Sequence, residues 1–243
     1  EHATCYKRSE NVSTYSSRFY EGRYVSGQIA GHLSKTGQAG YVASFPIPEV
    51  MRGINAFLLG AQSVNPEFRM KVIWVNSWFD PDKEAIAAKK LIDQGADILT
   101  QHTDSTAVVQ IAEENRVLAF GQASDMTPFA PDYLLTSIIN NWGDYYTART
   151  KAVLDGSWFS TDTFGGMDVN MVVMGAFKNM PEQVKRSAKA TTKALASGGV
   201  HPFDGPIIKQ DGTTIKNKNY FSLRRHIGKL GLLQGAIQLL IGH

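Results

Sequence analysis

Aromatic, acidic and amide residues follow each of five short apolar stretches within the first 142 residues. The candidates for binding are, in chain order, Phe45, Trp78, Phe79, Asp104, Gly121, Asp125 and Trp142. Aromatic rings stack on the faces of a flat molecule at about 1 to 3 kcal/mol for each ring, and carboxylates accept hydrogen bonds from donors on its edge. These residue types predict a site for a small, flat, uncharged ligand, and a purine base has this chemistry.

Several candidates also have a purely structural explanation. Asp80 is interpreted as a helix cap rather than a contact, and Asp104 could either contact a ligand or cap the helix that Ser105 begins. Trp78 and Phe79 are adjacent, so their side chains can scarcely both face one cleft, and Phe79 could belong to the core. Asp125 has no evident capping role, which makes it the strongest single candidate.

Signatures of catalysis and metal binding are scarce. His102 and Asp104 are two residues apart and could form a base with its orienting acid, but the chain has no G-x-S-x-G elbow for a nucleophile. It also lacks H-E-x-x-H, paired cysteines and a glycine-rich phosphate loop. We therefore predict a non-enzymatic protein without cofactor or metal, with His102 as a polar rim residue. The alternative is an enzyme that processes a purine nucleoside, with His102 as its base.

The apolar stretches alternate with amphipathic ones, a pattern typical of βαβ units and a parallel sheet. Strands are predicted at residues 40–45, 70–75, 97–101, 117–121 and 133–139. Helices are predicted around Ile54, from Asp80 to Gly95, after Ser105 and after Trp142. Because ligands of open α/β proteins bind beyond the carboxyl ends of the strands, the five strand ends should form one rim.

The elements divide the chain into two predicted lobes and a tail. Residues 36–157 form a complete α/β lobe, and residues 1–35 and 158–212 form parts of another. These flanks supply one strand at 171–177 and two helices at 19–32 and 181–196, which are too few for a doubly wound domain. We expect the missing strands to precede Glu1. Residues 213–243 are an atypical basic tail without acidic residues, interpreted as packing loosely or not at all.

The charge distribution argues against nucleic-acid binding. The formal net charge is +3, but every acidic residue lies at or before Asp211, so residues 1–211 carry a net charge of −2. A nucleic-acid-binding protein concentrates Lys and Arg on its folded part. The single cysteine, Cys5, excludes an internal disulfide. No signal peptide or membrane-spanning stretch is recognised, so we expect a soluble chain.

The sequence resembles the basic membrane protein (Bmp) family, the purine- and nucleoside-binding lipoproteins of bacterial ABC transporters. The matching stretches are residues 1–4, 20–24 (Tyr-Glu-Gly-Arg-Tyr), 40–53, 75–81, 97–105, 120–126, 141–143 (Asn-Trp-Gly) and 201–206. They occur in order and cover nearly all of residues 1–212, so the resemblance is specific.

The resemblance implies a type I periplasmic-binding-protein fold, in which two Rossmann-like lobes joined by three crossings close on a ligand. It implies adenine or a related base or nucleoside as ligand, an ABC permease of the inner membrane as partner, and a periplasmic location. It also places Trp78, Asp104, Asp125 and Trp142 on the cleft loops of the second lobe.

The sequence departs from the family pattern at both ends. A full-length member begins with a lipoprotein signal and the first strands and helices of its first lobe, and the tail from about Asn217 has no expected counterpart. A further alternative is therefore a truncated binding protein without independent activity. Its incomplete lobe would expose an unpaired sheet edge and favour a homodimer.

Overall fold

The computed structural model describes residues 1–5, 7–208, 213–215 and 237–241. The strands are β1 (His2–Ala3), β2 (Thr14–Ser17), β3 (Gln38–Ala43), β4 (Arg69–Trp74), β5 (Ile98–His102), β6 (Leu118–Gly121), β7 (Leu134–Asn140), β8 (Asp162–Gly165), β9 (Val172–Met174), β10 (Ile207–Ile208), β11 (Thr214–Ile215) and β12 (Ile237–Ile241). The helices are α1 (Tyr20–Leu33), α2 (Pro48–Gln62), α3 (Pro81–Asp93), α4 (Ala107–Glu114), α5 (Gly143–Leu154) and α6 (Glu182–Ala196). The five strands predicted between residues 40 and 139 are all present, and their ends differ from the prediction by two residues at most.

The larger sheet has the strand order β12-β4-β3-β5-β6-β7-β9 among the described residues. Its strands run parallel, except that β9 pairs antiparallel with β7. Parallel strands need crossover connections, which place helices on the faces of the sheet. The predicted α/β class with parallel sheets is therefore confirmed.

The core has one layer on each face of this sheet. Successive residues of a strand point to opposite faces. Tyr41 and Val72 enter the cluster formed with α1, α2 and α6, whereas their neighbours Val42 and Ile73 enter the cluster formed with α3 and α4. Burial on both faces explains why these strands are continuous apolar stretches in the sequence.

Glycines allow helices α1 and α2 to pack backbone against backbone. A Cβ at Gly27 would overlap the carbonyl of Phe57, and a Cβ at Gly60 would overlap the carbonyl of Tyr24. A side chain at either position would force the helices apart. The close contact holds α1 at the core of the larger sheet, where Val25 is buried.

A smaller parallel sheet has the order β1-β2-β8. Helix α5 lies on it, with the ring of Tyr145 5.0 Å from that of Tyr15 on β2. The chain passes between the two sheets three times, from β2 to α1, from β7 to α5 and from β8 to β9. Three crossings agree with the fold that the resemblance implied.

Three elements of the flanking segments lie elsewhere than the sequence suggested. Strand β9 pairs with β7, and α1 and α6 contribute side chains to the core of the larger sheet. Hydrophobic periodicity identifies such elements but carries no information about which sheet they join, because pairing partners are set by long-range contacts. The division into lobes at residues 35, 157 and 212 stays a prediction.

The end of the chain contributes an edge strand. Strand β12 pairs in parallel with β4, from Ile237 beside Met70 to Ile241 beside Trp74. The expectation of a loosely packed tail is wrong for this segment, because its backbone satisfies the exposed edge of β4. Residues 216–236, which hold the basic part of the tail, lie outside the described residues. Within the described part of the chain, no helix is long and apolar enough to cross a membrane.

Candidate functional site

The carboxyl ends of five parallel strands share one edge of the larger sheet, and the predicted site residues lie there. Phe45 follows β3, Trp78 and Phe79 follow β4, Asp104 follows β5, Gly121 ends β6, Asp125 follows it, and Trp142 follows β7. The loops after β4, β3 and β5 are direct neighbours, because β3 lies between the other two strands. The loop after β7 lies at the far end of the same row.

Phe45, Trp78 and His102 form an aromatic cluster at this edge. The ring centroids of Phe45 and Trp78 are 5.6 Å apart with an interplanar angle of 58°, and those of Trp78 and His102 are 6.2 Å apart. Trp78 is 39% exposed, which leaves part of its indole open to a ligand. Phe79 is 64% exposed and therefore does not belong to the core.

Asp104 is joined to Trp78 through the backbone. The N–H of Asp104 donates to the carbonyl of Trp78 at 2.7 Å, and its side chain is exposed. Partial burial raises the pKa of the Asp104 carboxyl, and the charge of Glu84 raises it further. Helix α4 begins at Ala107, whose N–H donates to Ser105 Oγ at 3.2 Å. Ser105, and not Asp104, therefore accepts from the first N–H of α4, and the Asp104 side chain stays exposed at the rim.

Asp125 makes local hydrogen bonds that the sequence did not reveal. Its Oδ1 accepts from the N–H of Thr127 at 3.0 Å and from the hydroxyl of Thr127 at 2.6 Å. These bonds lower the pKa of Asp125. The bonds form a local Asx turn before the 3-10 turn Thr127–Phe129, whose N-cap position is Met126, so they do not make Asp125 a helix cap. The side chain is exposed, and its part in ligand binding stays a prediction.

Gly121 has a packing role at the end of β6. A Cβ there would overlap the hydroxyl oxygen of Ser137 on β7. That oxygen accepts a hydrogen bond from the N–H of Met126 at 3.1 Å, which shapes the loop that carries Asp125. A glycine is therefore required at position 121 because β6 and the Ser137 side chain approach each other closely. A direct contact of Gly121 with the ligand stays a prediction.

Trp142 belongs to a second aromatic cluster, which joins the two sheets. Its ring centroid lies 5.3 Å from that of Tyr15, edge to face, and 6.3 Å from that of Tyr146, nearly stacked. Ser17 also donates to Asn140 Oδ1 at 2.9 Å across the same crossing. Sequence reasoning missed Tyr15, because β2 is a four-residue strand with little apolar pattern.

A fully buried arginine, Arg23 of α1, lies beneath the strand ends. Its Nη1 donates to Thr100 Oγ1 at 2.8 Å, and its Nη2 donates to the carbonyl of Gln101 and to Gln122 Oε1. Because arginine only donates, the amide oxygen of Gln122 must face it, which orients the first side chain after β6. The one sequence signal for Arg23 was its place in the Tyr-Glu-Gly-Arg-Tyr stretch.

His102 is buried, with 5% of its surface exposed, so its interpretation as a rim residue is wrong. Strand β5 extends through residue 102, one residue further than predicted, and the side chain enters the interior. Burial lowers the pKa of His102 well below its usual value, and the charges of Arg23 and Arg52 lower it further. His102 is therefore neutral at physiological pH. Among the described residues, no three His, Cys, Asp or Glu are grouped to hold a metal ion.

Comparisons with known proteins converge on one family of sequences. The family model described as PnrA-like ABC transporter substrate-binding protein (Bmp) matches residues 2–200. A purine-binding protein of Brucella abortus is 61% identical over 213 residues, covering 88% of this chain and 61% of that protein. A protein of Haloferax volcanii named as an ABC transporter glucose-binding protein is 41% identical over 196 residues, covering 80% of this chain and 50% of that protein. The chain therefore spans less than two thirds of these relatives.

A solved structure supports the same fold. An ABC transporter solute-binding protein of Aeropyrum pernix superposes with a TM-score of 0.68 at 16% identity, covering 90% of this chain and 72% of that one. At this identity the likeness concerns the fold alone. It confirms the predicted type I periplasmic-binding-protein architecture.

Proposed function

We propose a purine as ligand and solute import as the role of this chain, because it belongs to the family of PnrA-like ABC transporter substrate-binding proteins. The relative named as purine-binding, at 61% identity, supports the ligand class. The relative named as glucose-binding, at 41% identity, makes a sugar the competing ligand.

The contact between Phe45 and Trp78 is the observation that best supports a purine as the ligand. Two rings at 5.6 Å with a tilt of 58° present an aromatic wall, and 39% of the Trp78 surface is exposed. A flat base can stack on that surface, while its exocyclic amino group donates to Asp104, whose backbone is bonded to that of Trp78. Asp125 and Trp142 lie further along the same edge and complete the proposed site.

The ligand that fits this chemistry best is adenine or a related base or nucleoside. Adenine carries an amino group that donates to an ionised carboxylate, and it has no charge that would need a buried counter-ion. We assign His102 a neutral packing role beneath Trp78 and no catalytic step. The protein then binds without chemistry and delivers its ligand to an ABC permease of the inner membrane, from the periplasm.

Calorimetric titration of the purified chain tests the ligand. The panel consists of adenine, guanine, hypoxanthine, adenosine and glucose. We expect saturable binding of at least one purine and none of glucose. A purine at 100 times its Kd should also add about 2.7 kcal/mol to the free energy of unfolding. Binding of glucose alone, or no binding by a sample that melts cooperatively, would contradict the proposal.

The enzyme alternative is tested with the same sample. Adenosine is incubated with the chain and the mixture is separated by chromatography. We expect adenosine to be recovered unchanged, because His102, the base that the enzyme alternative requires, is buried rather than exposed at the rim. Release of adenine or formation of inosine would show catalysis instead.

A homodimer through the smaller sheet remains a separate prediction. In the described part of the chain this sheet has three strands, in the order β1-β2-β8, and an open edge strand can pair with a second copy of the chain. Gel filtration with light scattering distinguishes a dimer from a monomer.

A further inference from the structure

Two loops of the candidate site converge on one buried side chain, Glu84 of α3. Glu84 has no exposed surface. Its Oε2 accepts hydrogen bonds from the hydroxyls of Thr103 at 2.7 Å and Ser105 at 2.6 Å. Its Oε1 accepts from the N–H of Asp80 at 3.1 Å. The first two partners belong to the loop after β5, and the third ends the loop after β4.

These bonds determine how the ligand-facing residues are presented. Thr103 and Ser105 turn inward to Glu84 and are buried, and Asp104 between them is exposed. The N–H of Asp104 in turn donates to the carbonyl of Trp78 at 2.7 Å. The aromatic surface and the carboxylate of the proposed site thus share one anchor.

We propose that Glu84 is the positioning residue of the site, holding the loops after β4 and β5 at the separation at which Trp78 and Asp104 contact one ligand. The identity of that ligand rests on the proposed function, whereas the anchoring is a property of the free protein. Hydrogen bonds to a carboxylate are about twice as strong as neutral ones, and three of them converge here. Removing the acceptor would leave two hydroxyls and an N–H unpaired in the interior.

A residue that only completed the first turn of α3 would behave differently. Its replacement would lower the stability of the fold and leave Asp104 as it is. Glu84, by contrast, acts on Asp104 both through the bonded loop and through its charge, which raises the pKa of the Asp104 carboxyl.

The decisive variant is Glu84→Gln, which keeps the size of the side chain and removes its charge. Glu114→Gln, the same change at an exposed position on α4, is the matched control. In the ligand-free protein we expect Glu84→Gln to lower the pKa of Asp104, which is measured by carbon NMR titration of the Asp104 carboxyl. Exchange of the Asp104 N–H should become at least about tenfold faster, and Kd for adenine should rise about tenfold. The control should match the native protein in all three.

An unchanged Asp104 titration and an unchanged exchange rate in folded Glu84→Gln would overturn the proposal. If that variant does not fold, Thr103→Val removes the hydroxyl that donates to Glu84, together with the bond that this hydroxyl accepts from Gln101 Nε2 at 3.3 Å, and keeps the charge of Glu84. We then expect faster exchange of the Asp104 N–H while its pKa stays raised, and unchanged exchange would again overturn the proposal. Failure of the native protein to bind any purine would refute the proposed function, and the measurements on the free protein would still decide the role of Glu84.

Discussion

Replacing Trp78 by alanine should weaken ligand binding strongly, whereas the same change at its neighbour Phe79 should leave binding almost unchanged. Trp78 lies in the aromatic cluster with Phe45 and His102 at the carboxyl edge of the sheet. Adjacent side chains can scarcely both face one cleft, and the 64% exposed Phe79 lies outside that cluster. A stacked base contributes about 1 to 3 kcal/mol. Because 1.4 kcal/mol corresponds to a tenfold change in affinity, Trp78→Ala should raise Kd about 5- to 140-fold.

Neither replacement should unfold the protein. Trp78→Ala removes two ring contacts, each of which contributes about 0.5 to 1.5 kcal/mol. The loss of stability is limited, because the indole is already 39% exposed in the native protein. Phe79→Ala should change the free energy of unfolding by less than about 0.5 kcal/mol. Binding and folding are therefore separable in this pair of variants.

Calorimetric titration with adenine gives Kd, and urea unfolding gives the stability of each variant. The adjacent positions serve as controls for each other, since they share a loop and an aromatic side chain. Equal losses of affinity in the two variants, or a larger loss in Phe79→Ala, would refute the placement of the ligand on the Trp78 ring.

Three further predictions concern the fold. Gly60→Ala should destabilise the protein by about 1 to 3 kcal/mol in urea unfolding, because the new Cβ meets the backbone of α1; Gly143→Ala, with open space around it, should not. Ile54→Ala, in the core, should cost about 2 to 5 kcal/mol in the same measurement, and a loss below about 1 kcal/mol would contradict its burial. Because the pKa of His102 is lowered on folding, the unfolded chain binds the proton first, so stability should fall as pH decreases below about 6.5, by up to about 1.4 kcal/mol per pH unit. His102→Gln should remove this part of the pH dependence and exposed His32→Gln should keep it; identical pH profiles would count against the assignment.

The strands and helices between residues 38 and 154 could be predicted because each is locally specified. Asp80 illustrates this, since its side chain accepts from the N–H of Lys83 as an N-cap should. The strands could be predicted from their own apolar stretches and from the glycines and prolines at their ends. The partner of β9 could not be predicted, because a three-residue strand fits any free edge and the choice depends on distant packing.

The location of the candidate site could be predicted from the sequence, whereas the hydrogen bonds that hold its loops could not. The ends of the strands could be predicted from the sequence, and ligands of such sheets bind beyond the carboxyl ends. The loops of Phe45, Trp78 and Asp104 are neighbours because their strands are neighbours in the sheet. The bonds of Glu84 to Thr103 and Ser105 join residues 19 and 21 positions apart, and those of Arg23 join residues 77 to 99 positions apart. No periodicity or motif indicates such pairs, so neither residue was predicted to support the site.

By itself the sequence determined the α/β class, the family and the row of strand ends that carries the aromatic and acidic side chains, because hydrophobic pattern, turn residues and ordered motifs are local properties. Only the tertiary structure decided which of those side chains meet. Trp78 pairs with Phe45 because β3 lies beside β4. Trp142 instead joins the cluster of Tyr15 on the smaller sheet. Contacts of this kind depend on which strands are neighbours in space, and that order is fixed by the packing of the whole chain.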